Sequence, residues 1–305
     1  MNKLLEDILD RCAPYKKEGK LADYIPELTK ANPDDFGIYM IRNDGVISKA
    51  GDYNKHFTIQ SIVKPIFLLQ ALIDNGIDYV KNHVGVEATG KPFDAINYSE
   101  AALVSENINP MVNMGAIVMC TLIKGDTYEE KFNRLLDLTR KLANNPNIDI
   151  DEAVYQSEKR TGNKNRALAY LVKSYGMIQD DVEDVLDCYF KGCSIKVTCE
   201  DLARIGLVLA NHGKSPFTGE QLFPREYANY VNAILITCGM YDGSGEFAIK
   251  VGVPAKSGVG GGIMAVVPTQ MGIGIYSPAL NSKGNSLAGI KALEELSKEL
   301  NLSIF

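Results

Sequence analysis

Two short motifs hold the reactive side chains of this 305-residue chain: Ser61-Ile62-Val63-Lys64 near one end and Lys256-Ser257-Gly258 near the other. Helical residues three apart share a face, so the first spacing predicts the Lys64 amine beside the Ser61 hydroxyl. A serine hydroxyl is a weak nucleophile until an adjacent base takes its proton. A lysine becomes such a base when burial lowers its pKa. The plainer alternative is a serine that caps a helix beside a solvated lysine. The tetrad is too short to exclude that by itself. Val253 to Gly262 reads as an edge strand running into a glycine-rich segment. Glycines let backbone approach a ligand without a Cβ in the way. Backbone N–H groups of Ser61 and Val259 are therefore candidates for an oxyanion hole, where one donor is worth about 3 kcal/mol.

These residues need elements to hold them. His56 to Gln60 reads as an extended lead-in, and Pro65 suits a first helical turn. Ile66 to Ile73 is apolar nearly all round, as in a buried helix, and Asn75-Gly76 stops it. Leu4, Leu5, Ile8, Leu9 and Cys12 predict a helix over 2–13. Phe36 to Ile41 and Val46 to Ser48 flank a hairpin turn at Asn43-Asp44-Gly45. Further helices are predicted over 99–107, 112–123, 126–143, 164–175, 181–189, 198–212, 224–238 and 284–300. Strands are predicted over 247–251, 263–267 and 272–276.

Strands at both ends and helices between them predict an α+β architecture. One antiparallel sheet, flanked by helices, is built from both ends of the chain. The expected division is a single catalytic domain over 1–305, with 1–76 plus 241–305 as its sheet part and 77–240 as a mostly helical insertion. A pocket is expected between the two parts.

Composition narrows the function. Hydrophobic residues make up 46% and charged residues 23%, enough for an ordinary globular core. A net charge of −6 argues against a nucleic-acid surface. No apolar run is long enough for a membrane-spanning helix. The first ten residues are amphipathic and acidic, unlike a secretory signal, so a cytoplasmic protein is expected. Six cysteines without a C-x-x-C pair, and only three histidines, point to reduced core thiols rather than a metal site. His56, His83 and His212 are scattered and read as structural.

Other blocks surround the two motifs in order: Tyr24 to Leu28, Val84 to Gly90, Asn109 to Ile117, Ser157-Glu158 with Asn165-Arg166, Tyr189 to Ser194, and Thr237 to Asp242. Together with Phe57 to Lys64 and Pro254 to Gly262, this series strongly resembles the serine-dependent glutaminases, over almost the whole chain. That family is built on the β-lactamase-like fold. An S-x-x-K tetrad followed by K-[ST]-G is also the order used by penicillin-binding enzymes and β-lactamases. The resemblance implies hydrolysis of L-glutamine to L-glutamate and ammonia through an acyl-enzyme. It implies Ser61 as nucleophile, with Lys64 and Tyr241 moving protons. The implied substrate contacts are Tyr24, Ser61, Asn113, Glu158, Asn165, Tyr189, Tyr241 and the backbone of Val259. No cofactor or metal is implied, and neither a nucleic acid nor a membrane partner. A homodimer or homotetramer is. Met114 stands where a smaller residue is expected, and Ala88-Thr89 where a Pro-Ser pair is; neither touches the implied mechanism.

The chemistry is coherent without the name. Glu158 supplies the negative charge that an α-ammonium requires. Asn113 and Asn165 can donate to a carboxylate and accept from an amine. Taken singly, each has an ordinary explanation. Glu158 sits between Ser157 and the charged pair Lys159-Arg160, as a surface residue does. Asn113 and Asn165 suit helix starts, and the three tyrosines suit core or rim positions. Two other functions fit the motifs: another serine amidohydrolase or esterase of this fold, and a non-catalytic glutamine sensor.

Overall fold

The computed structural model describes residues 1–90, 92–96 and 108–305. The helix predicted over 99–107 lies outside the described residues. The strands, in chain order, are β1 (Gly37–Arg42), β2 (Ile47–Gly51), β3 (Phe57–Thr58), β4 (Lys196–Val197), β5 (Ala255–Ser257), β6 (Gly262–Val267) and β7 (Met271–Tyr276). Five of them form one antiparallel sheet in the order β2-β1-β7-β6-β5. The sheet is therefore built from both ends of the chain, as predicted, with β5 at an edge. The short pair β3–β4 ties the lead-in to Ser61 onto the middle of the chain.

Side chains alternate across a strand, and the sheet is covered on both faces. Ile38, Met40, Ile263, Ala265, Ile273 and Ile275 pack against the first and last helices, α1 (Asn2–Cys12) and the C-terminal Leu287–Leu300. Tyr39, Ile41, Met264 and Val266 face the larger core. There the helix Cys199–Ala210 lies almost on the strand backbone. A Cβ on Gly272 would sit 1.9 Å from the Ala203 carbonyl oxygen, and one on Gly274 2.0 Å from that of Cys199. Burial on both faces explains why these strands read as apolar runs rather than alternating patterns.

The helices after α1 build the larger core, except the last two, Ser244–Lys250 and Leu287–Leu300, which pack in the smaller core on the other face of the sheet. In chain order they are α2 (Lys64–Asn75), α3 (Ile77–Lys81), α4 (Asn113–Leu122), α5 (Tyr128–Ala143), α6 (Glu152–Thr161), α7 (Asn163–Ser174), α8 (Val182–Cys193), α9 (Cys199–Ala210), α10 (Arg225–Cys238), α11 (Ser244–Lys250) and α12 (Leu287–Leu300). One predicted strand is corrected: residues 247–251 are not extended, since most of that segment belongs to α11. Phe247 is buried while Ile249 is 87% exposed, a helical rather than a strand pattern. Glu246 and Lys250 pair at 2.7 Å across one helical turn.

Candidate active site

Ser61 does not begin an α-helix. It lies in a 3-10 turn, Gln60–Val63, which runs into α2. Gln60 takes a left-handed backbone conformation (φ +48°), which redirects the chain from β3 into that turn. Opposite it runs the glycine segment between β5 and β6. A Cβ on Gly258 would meet the Ile59 carbonyl oxygen at 2.6 Å, and one on Gly260 that of Thr58 at 2.5 Å. The two ends of the chain thus touch backbone to backbone beside the nucleophile candidate.

Lys64 is fully buried at the first turn of α2. Its Nζ donates to Asn113 Oδ1 at 2.6 Å and to the Met111 carbonyl at 3.3 Å. Asn113, at the start of α4, passes the contact on: its Nδ2 donates to Asn165 Oδ1 on α7 at 2.9 Å. Burial lowers the Lys64 pKa to about 8. About a tenth of its population is then a neutral amine at pH 7, and about half at pH 8.

The near partner of the Ser61 hydroxyl is Tyr241, in a 3-10 turn after α10 with φ +54°. Burial pushes the Tyr241 phenol above its ordinary pKa, and the Ser61 hydroxyl beside it offsets part of that rise. The phenol donates to the Ser257 carbonyl at 3.1 Å. Lys256 Nζ donates to the same carbonyl at 2.7 Å and to that of Gly239 at 3.1 Å, lying 4.3 Å from the centre of the Tyr241 ring. Lys256 is fully buried, and burial, with Lys64 nearby, depresses its pKa. The K-S-G motif therefore does more than lend glycines. Its lysine clamps the turn that carries Tyr241.

Glu158 on α6 is buried, and burial raises its pKa to about 8, against the Gln60 amide and the Lys64 amine, which favour its anion. Its Oε2 is buried without a hydrogen-bond partner among the described residues. A buried carboxylate oxygen in that state calls for a donor. Tyr189 on α8 is also buried, close enough to Glu158 for its phenol to feel that charge. Val259 is buried on the glycine segment. Tyr24 alone of the predicted contacts is exposed, at the rim of a cavity of about 610 Å³ shared with Phe93, Asp94 and Val259.

All nine residues selected from the sequence thus converge on one locality. Two neighbours were not selected. Gln60 packs against Glu158, and its place directly before Ser61 is the signal that points to it. Phe93 covers the centre: its ring lies 4.6 Å from that of Tyr241 and 5.8 Å from Lys64 Nζ. No periodicity marks Phe93, because it sits in an irregular segment.

Comparison with known proteins identifies the family. The family profile described as Glutaminase matches residues 19–305. A glutaminase of Clostridium tetani is 54% identical, and glutaminase 2 of Clostridium perfringens 53%, each over the full length of both chains. Among solved structures, a Bacillus subtilis glutaminase in covalent complex with 5-oxo-L-norleucine is 39% identical with a TM-score of 0.92. It covers 100% of this chain and 99% of its own. With a matching profile over most of its length and full-length relatives above half identity, the chain belongs to the glutaminase family.

Proposed function

We propose that the protein hydrolyses the side-chain amide of L-glutamine to L-glutamate and ammonia through a serine acyl-enzyme. The observation that carries this reading is a fully buried lysine one turn from a buried serine, with its pKa lowered to about 8, near a buried carboxylate whose Oε2 lacks a donor. The first group supplies a base at moderate pH. The second supplies a counter-charge for a free α-ammonium.

In the proposed sequence, the α-ammonium sits at Glu158 and the α-carboxylate meets Asn113, Asn165, Tyr189 and Tyr24. Ser61 Oγ attacks the side-chain carbonyl carbon while its proton passes to Lys64 or Tyr241. The N–H groups of Ser61 and Val259 hold the resulting oxyanion. The C–N bond breaks, the same proton goes to nitrogen, and ammonia departs. Water then attacks the ester, returning a proton through the same pair and releasing glutamate. Tyr241 stands beside the Ser61 hydroxyl and Lys64 lies one turn along from it, so in this reading the two share one proton.

A release assay tests this. Wild-type protein should liberate ammonia from glutamine, and Ser61→Ala should lose at least about 10³-fold in kcat while still binding glutamine. Unchanged release by Ser61→Ala would rule out the covalent route. Hydrolysis of a chromogenic β-lactam in preference to glutamine would favour another amidohydrolase of this fold. Binding of glutamine without turnover by the wild type would mark a sensor. We further propose a cytoplasmic location and, on family resemblance, a homodimer or homotetramer; light scattering of the purified protein tests the assembly. Among the described residues, no helix is long and apolar enough to cross a membrane.

A further inference from the structure

We propose that a second cavity, behind Tyr241, is the path by which ammonia leaves and hydrolytic water arrives, separate from the mouth that admits the amino acid. This rests on the glutamine-hydrolysis reading above. The cavity has a volume of about 300 Å³ and is lined, among the described residues, by Thr89, Phe93, Met111, Cys238, Tyr241 and Gly245, with others. Tyr24 and Val259 line none of it, and Ser61, Lys64 and Glu158 line neither this cavity nor the mouth. The mouth at Tyr24 and Val259 is a different cavity, and Phe93 and Asp242 stand in the wall common to both.

The chemistry of the inner wall sets the direction. Met111 offers the carbonyl that receives Lys64 Nζ at 3.3 Å, and Tyr241 stands beside Ser61. Tyr241 therefore backs onto this cavity directly and Lys64 through Met111, whereas Tyr24 and Val259 line the other cavity. When the tetrahedral intermediate collapses, the C–N bond breaks and the departing nitrogen accepts its proton from Tyr241 or Lys64. The nitrogen must face those groups at that moment, on the side of this cavity. Deacylation runs the same steps with water in place of ammonia, so water approaches from the position that nitrogen vacated. The cavity can hold on the order of ten waters at about 30 Å³ each. Asn109, Thr237 and Ser244 add polar groups to its walls.

Gly245 allows a clean test. It lies on α11 at the exposed edge of the cavity, and no heavy atom stands within 4 Å of where its Cβ would be. A side chain there narrows the opening without displacing the core. Gly245→Trp is expected to lower kcat for glutamine about tenfold or more, as a step that limits product release does. KM should not rise, inhibition by glutamate should stay within about twofold, and Gly245→Ala should behave as wild type. The γ-methyl ester of L-glutamate, whose leaving group is larger, should lose more than glutamine does. An unchanged kcat overturns the proposal, and so does a rise in KM that accounts for the whole loss.

If Gly245→Trp does not fold, Cys238 serves instead, the one cysteine of six that is not buried. Its thiolate attacks a methanethiosulfonate, methanesulfinate leaves, and a mixed disulfide forms. A benzyl adduct should slow kcat more than a methyl adduct, and dithiothreitol should restore the rate. Equal rates with both adducts overturn the proposal. A wild-type protein without glutaminase activity would sink the underlying reading, whereas an active wild type with an indifferent Gly245→Trp sinks only the second path.

Discussion

Lys64 Nζ and Asn113 Oδ1 stand 2.6 Å apart, and the other end of the same amide bonds Asn165. One side chain therefore joins the candidate base to the amino-acid pocket. Asn113→Ala is expected to lower kcat and raise KM together, with kcat/KM down by about a hundredfold. Asn113→Asp places a carboxylate against the ammonium and should move the acid limb of kcat upward from about pH 8. Steady-state kinetics over a pH series measures both. A change in KM alone would break the proposed link.

Activity should rise with pH through the region near 8, for two separable reasons. Lys64 acts as base only after losing its proton, so kcat rises as pH passes through about 8. Glu158 holds the α-ammonium only as an anion, so KM falls as pH passes through about 8. Two protons lost from the free enzyme give log kcat/KM a slope approaching about two on the acid side. A flat profile there would contradict both burial effects.

Glu158→Gln should trade function for stability. The folded-state pKa of Glu158 is raised from the model-compound value of 4.5 to about 8, so folding disfavours its anion. That penalty is absent below 4.5, grows between 4.5 and about 8, and is complete above. The variant should accordingly melt higher than wild type by about 2–4 °C for each kcal/mol recovered, and by more at alkaline than at acidic pH. Its KM for glutamine should rise at least tenfold, roughly what a lost charge-assisted bond costs. Calorimetry at two pH values checks the sign; a larger gain at acidic pH would falsify the assignment.

The fit of α9 on the sheet should tolerate no side chain at Gly274. A Cβ there would lie 2.0 Å from the Cys199 carbonyl oxygen, backbone against backbone. Gly274→Val is expected to cost about 3 kcal/mol or more, or to prevent folding. Soluble expression and thermal denaturation report this. Gly45→Ala makes a useful contrast: nothing lies within 4 Å of its Cβ, so its cost is limited to the backbone strain of its left-handed turn.

Most elements were legible because their signals are local. The apolar stripe of α2, the Asn43-Asp44-Gly45 turn and the helical spacing of α12 depend on neighbours in sequence. The segment 247–251 was misread because so short a stretch carries both patterns, and only the burial of Phe247 beside an exposed Ile249 separates them. Lys256 was seen as part of a motif, but its task was not. A lysine that reaches two carbonyls and the face of Tyr241 is defined by atoms up to 17 positions away in sequence. Phe93 was invisible for the same reason.

Sequence by itself determined the inventory of reactive groups and their order, because residue types and short spacings are properties of the chain. The folded molecule alone decided which of those groups are charged. Removal from water displaces the proton affinities of Lys64 and Glu158, each to about 8. Solvation is a sum over everything that surrounds a group in space, and no local stretch of chain encodes that sum.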